Sequence, residues 1–149
     1  MEKAQRLTFR AALASAVLTL AFLLALLATP LMAPLPTEWR GAADYAAAFE
    51  PLTMLAIVAS LLLVPPVLVL LGALHAAAPP EHRLATVIAL IFGGVYGAII
   101  SANDYLQLVT VRGSLLAGQL EGLDPFVWTN PYGVFGALEA LGYLSHSPH

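Results

Sequence analysis

The chain has no cysteine, and only 10% of its 149 residues are Asp, Glu, Lys or Arg. Without thiols, disulfides, thiolate catalysis, iron–sulfur ligation and palmitoylation are excluded. A soluble domain carries about 25% charged residues. A chain with so few could not cover its own surface in water, which excludes an ordinary water-soluble enzyme. Basic residues are scarcer still, with six Lys and Arg and a net charge of −3. No basic patch exists to hold phosphates, so nucleic acid is excluded as a partner. Phosphate-binding loops, a Gly-x-Ser-x-Gly elbow and a His-Glu-x-x-His pair are also missing. His75 and His82 bracket a short connection, at a separation that does not match helical zinc spacing. No metal site and no cofactor is expected.

What is abundant is hydrocarbon. Hydrophobic residues make up 60% of the chain, against about 45–50% in a soluble domain. The 11 Gly and 11 Pro follow no three-residue period, so a collagen-like chain is excluded. The composition is that of an integral membrane protein whose main partner is the lipid bilayer. The expected fold is all-α: one transmembrane bundle of four spans, at about residues 10–30, 51–76, 84–111 and 131–144.

The first span follows Lys3, Arg6 and Arg10. Its apolar run exceeds the ~7–15 residues of a signal-peptide core, and Pro34 follows the small-residue site, so an uncleaved helix is expected. Trp39 and Tyr45 in the first connection are suited to the headgroup level. Glu50-Pro51 reads as a helix start with proline at the first helical position. Pro65-Pro66 falls near the middle of the second span, where a kink, a hinge or an unwound ligand site is expected. The tight connection around Pro79-Pro80 makes spans two and three antiparallel neighbours. Gly93 and Gly97 form a small-xxx-small pattern for close helix packing.

Leu116, Leu120, Leu123 and Val127 recur at helical spacing, which predicts an interfacial helix between spans three and four. Asn130-Pro131 reads as an N-cap and first turn. The last apolar segment reaches only ~20 Å of a ~30 Å hydrocarbon core. It is expected to be a short, tilted fourth span or the truncated start of a longer protein.

Five polar residues are candidates for a ligand site: Asn103, Asp104, Gln107, Arg112 and Glu139. An ionised Asp at mid-bilayer costs roughly 3 kcal/mol on insertion scales, less near the end of a span, where Asp104 falls. Asp104 follows Gly97 by seven residues, so at ~100° per residue both share the packing face. Glu139 has no basic residue in its own segment and needs either a partner from elsewhere or a proton. Glu139 lies ~12 Å below the start of its helix, and Asp104 about as far below Arg112. The two acids are therefore expected at one level.

Asn103-Asp104-Tyr105 through Arg112, Ser114-Leu115-Leu116-Ala117-Gly118, Glu121-Gly122-Leu123, Asn130-Pro131-Tyr132-Gly133 and Leu138-Glu139-Ala140-Leu141-Gly142-Tyr143-Leu144 cover the last third of the chain. This stretch resembles one shared by uncharacterised bacterial multi-pass membrane proteins. The resemblance implies further helices and no activity.

Two functional classes follow. In one, the five residues surround an outward-facing polar cavity of a binding or transport-like module, with Pro65 and Pro66 as its hinge. In the other, a structural or assembly protein, they only lock helices together. A second copy of the chain or a membrane partner is compatible with both.

The basic N-terminal flank sets the N-terminus on the cytoplasmic side of a bacterial inner membrane, with both longer connections outside. Cysteines introduced at Thr37 and Ser114 are expected to react with a membrane-impermeant thiol reagent on intact cells, and one at Glu81 is not. Labelling at Glu81 alone would reverse the orientation.

Overall fold

The computed structural model describes residues 2–32 and 38–143. The Ala33-Pro34 site and the tail carrying His146 and His149 lie outside them. Among the described residues all regular secondary structure is helical, with no strand. α1 spans Glu2–Met32, α2 Ala42–Ala47, α3 Met54–Ala77, α4 Arg83–Leu106, α5 Arg112–Ala117 and α6 Val134–Tyr143. A π-turn over Gln107–Val111 joins α4 to α5 without a break. Three helical stretches are long and apolar enough to cross a membrane: Gln5–Leu31, Pro51–Ala77 and Pro80–Ala117.

Local chemistry sets the ends of these helices. The Glu50 carboxylate accepts from the Leu52 amide, and Pro51 takes the first helical position, where a missing N–H costs nothing. The Thr53 hydroxyl donates to the Glu50 carbonyl. At the opposite end of α3, Pro79 and Pro80 turn the chain directly into α4. His75 Nδ1 and Thr86 Oγ1 meet at 2.8 Å across that turn. α3 is continuous through Pro65 and Pro66. The unwound ligand site allowed by those prolines is not formed, because the helix closes around them.

The Leu116–Val127 periodicity does not produce an interfacial helix. α5 stops at Gly118, which adopts φ +67°, a left-handed conformation that glycine enters without a Cβ clash. The Gln119 amide then bonds the Ser114 carbonyl at 2.9 Å and caps the end. A turn follows, then one 3₁₀ turn at Asp124–Phe126. Leu116 faces outward, whereas Leu123 and Val127 are buried. Asn130 likewise does not cap α6. Its side chain accepts from the Tyr132 amide and donates to the Asp124 carbonyl, so it folds the approach to a helix that begins four residues later. Gly133 is needed there, since a Cβ would lie 2.8 Å from the Pro125 carbonyl oxygen.

α1 and α4 each pack on α3, and α6 packs on α4. The end of α1, the start of α3 and the end of α4 meet at one end of the bundle. There α2 and residues 118–130 fold together into a cap. The cap holds a hydrophobic core of Ala42, Tyr45, Val111, Leu123 and Val127, flanked by Trp39, Phe49 and Trp128. Along α1, by contrast, Leu13, Val17, Leu20, Leu24 and Leu27 are exposed. Such an apolar face is stable against lipid and not against water.

α4 meets α3 at its glycines. A Cβ at Gly97 would lie 2.8 Å from Val64 Cγ1, and one at Gly93 would lie 2.5 Å from Leu71 Cδ1. The Leu71 methyl ends a flexible side chain, whereas the β-branched Val64 is stiff. Gly94 has nothing within 4 Å of its Cβ position. Gly97→Leu is therefore expected to lower stability in detergent by about 1–3 kcal/mol, while Gly94→Ala melts like the parent. Equal melting of all three proteins would show that α3 and α4 are not held at this contact.

Candidate functional site

α1, α3, α4 and α6 line a partly open cavity of about 540 Å³, within the roughly 300–1,000 Å³ typical of small-molecule sites. Its wall is apolar over most of its length, with Phe22, Leu63, Val64, Val67 and Leu68 among the contributors. Polar groups gather at the cap end: Thr29, Thr53, Ser60, Asp104 and Glu139, with Trp128 beside them.

The five candidate residues divide into three groups. Asn103 and Gln107 are buried and engaged. Asn103 donates to the Phe135 carbonyl at 3.4 Å. Gln107 donates to the Phe126 carbonyl and accepts from the Trp128 amide, so one side chain satisfies two backbone groups of the cap. Neither lines the cavity. Arg112 is exposed at the start of α5 and contributes nothing to the cavity wall.

Asp104 and Glu139 form the third group, and both line the cavity. Asp104 is only 4% exposed. Ser60 supplies one side-chain hydrogen bond to its carboxyl, and Glu139 of α6 lines the same cavity. Asp104 Oδ2 is buried with no hydrogen-bond partner. A buried carboxylate oxygen without a partner is costly, and such exceptions are rare in folded proteins. Glu139 is half-buried on α6. It reaches the cavity because Asn103, one position before Asp104, holds the Phe135 carbonyl at the start of the same helix.

The π-turn contributes to this division. Asn103, Gln107 and Val111 follow one another at intervals of four. A regular α-helix would rotate such a row by ~40° per step. A π-turn carries more residues per turn and offsets that drift, so all three remain buried. Ser60, Thr29 and Thr53 were not singled out by the sequence. Ser60 did carry a signal, as the lone hydroxyl in an otherwise apolar stretch of α3. Pro65 and Pro66 do not line the cavity, although Val64 and Val67 on either side of them do.

The cap is tied over this end of the cavity. The Trp128 indole N–H donates to the Tyr45 hydroxyl at 2.9 Å, and the Ala42 amide bonds Asp124 Oδ1. Burial pushes the Tyr45 phenol above its usual value near 10, opposed by the hydrogen bond with Trp128. Among the described residues, no three His, Asp or Glu side chains converge on a metal position.

Gln107→Leu preserves volume but strands the Phe126 carbonyl and the Trp128 amide. The expected result is a loss of about 1–3 kcal/mol for each stranded group, with a change in tryptophan emission as Trp128 loosens. Unchanged melting and emission would mean that the cap is held without this clamp.

No family model, curated protein or solved structure matches the chain. The geometry of the cavity alone carries the functional reading.

Proposed function

We propose that this protein is a multi-pass membrane binding module of the bacterial inner membrane, with a cytoplasmic N-terminus and its cap outside. The polar end of the cavity lies beneath the cap and receives a small ligand that presents a positive charge or several hydrogen-bond donors. α6 enters the membrane beside α4 as a short fourth segment. The observation that carries this reading is the unpartnered, buried Oδ2 of Asp104 in a cavity it shares with Glu139. A donor or cation placed between the two acids would satisfy that oxygen. Among the described residues, no Lys, Arg or His lines the cavity, so nothing in that wall would neutralise an anion.

The second reading, a bundle whose polar residues only lock helices, is favoured for Asn103 and Gln107, whose amides are engaged with backbone groups. It accounts for the bond between Ser60 of α3 and Asp104 of α4 but not for the second Asp104 oxygen, which has no partner.

The chain has no cysteine of its own, which allows a clean accessibility test. Ser60→Cys is expected to react from the outside with aminoethyl methanethiosulfonate faster than with the sulfonatoethyl reagent. The preference should reach roughly tenfold, the factor for a ~1.4 kcal/mol charge effect. Adding Asp104→Asn should reduce it. If neither reagent reaches the introduced thiol, only the helix-locking reading is left.

A further inference from the structure

The cavity is much longer than its polar end requires. Asp104 and Gly93 both line it, eleven residues apart on α4, so it extends ~16 Å along the helix axis. Below Ser60 the α3 wall is Leu63, Val64, Val67 and Leu68, faced by Phe22 of α1 and by Tyr96 of α4, whose hydroxyl is the one polar side-chain group among the described residues of this stretch. A buried water needs about two to four polar partners, and these side chains provide one at most. A proton, a metal ion or a small hydrophilic solute would occupy only the cap end and leave the remainder empty. The cavity is thus amphipathic along its length. Two acids and a hydroxyl stand at one end, and a hydrocarbon slot at membrane depth forms the other.

We infer that the cavity takes a cationic amphiphile, with an ammonium head between Asp104 and Glu139 and a single hydrocarbon tail running between α1 and α4 over the floor of α3. This rests on the binding-module reading and adds the class of ligand. An ammonium has three donors. They match the unpartnered Oδ2 of Asp104, the Glu139 carboxylate and the Ser60 hydroxyl, all on residues that line the cavity. Trp128 lines that end as well, and an indole face attracts a cation. An anionic head would meet two acids and no basic group among the described lining residues. An uncharged head would leave both acids without a counter-charge, since no Lys, Arg or His is among the described lining residues. A Cβ at Gly97 would lie 2.8 Å from Val64 Cγ1, so its absence lets α4 pack directly on the α3 floor of the slot.

The test uses the full chain in phosphatidylcholine nanodiscs, with empty discs correcting for partition into lipid. Saturable changes in tryptophan emission report binding of dodecylamine, dodecanol, dodecanoate and butylamine. Dodecylamine is expected to bind at least roughly tenfold more tightly than dodecanol or dodecanoate, as for one charge-assisted contact. Asp104→Asn should remove that preference while melting like the parent. If that variant does not fold, Glu139→Gln carries the same expectation. Val67→Phe, placed in the slot, should weaken dodecylamine and shift the preference toward butylamine, with melting again as the check on folding. If both amines bind equally and Val67→Phe leaves dodecylamine unaffected, the amphiphile assignment fails while the cation-binding module stands. If dodecanoate or dodecanol matches dodecylamine, the ammonium assignment fails. If no amine binds saturably, both readings fall.

Discussion

A polar group withdrawn from water must find a partner, and the cap end of this protein is arranged around that requirement. α4 and the π-turn that continues it carry Asn103, Asp104 and Gln107 into a buried position within five residues. The two amides can both donate and accept, so they are placed against backbone groups that would otherwise be orphaned: the carbonyls of Phe126 and Phe135 and the Trp128 amide. The carboxylate can only accept when ionised. It gains one bond from Ser60 and keeps one oxygen free. The same constraint that makes two of these residues structural leaves the third available for a ligand.

The bundle and the cap are stabilised by different solvents. In the bundle, apolar side chains on α1 and on the outer face of α4 remain exposed, and lipid takes the place of a protein core. Helices in lipid gain little from hydrophobic burial and associate through close packing, which is why Gly97 against Val64 matters. The cap is built like a soluble domain. Val111 and Val127 are fully buried, and the aromatic rings of Trp39, Tyr45 and Phe49 pack beside them, with centroids 6.5 and 6.0 Å apart. The two systems meet at Gln107 and Trp128. Trp128 belongs to both the cap and the wall of the cavity.

Three helical stretches long enough to cross a membrane were legible in the hydropathy of the chain, because an apolar run of that length has few other stable fates. The start of α3 was legible at Glu50-Pro51, since a cap is a local device. The common level of Asp104 and Glu139 followed from counting residues at about 1.5 Å each. The Leu116–Val127 segment was misread for an equally local reason: its helical spacing is real, but Gly118 adopts a left-handed conformation that ends the helix before the repeat can be used. Asn130 and Pro131 have the residue types of a helix start, yet a bond from Asn130 to the Asp124 carbonyl, outside the helix altogether, turned them into a loop brace.

By itself, then, the sequence determined the solvent. With few charges and long apolar runs the chain must be helical and embedded, and its few polar residues must gather where helices meet. Only the tertiary structure decided which of those residues are used in packing and which are left over. Asn103, Asp104 and Gln107 look alike in a helical wheel. They differ in what stands opposite: a carbonyl of α6, a hydroxyl of α3 with an acid nearby, and the backbone of the cap. Those neighbours come from segments up to 44 residues away in the chain, and hydrogen bonding, being directional and short-ranged, can assign roles only after such segments have been brought together.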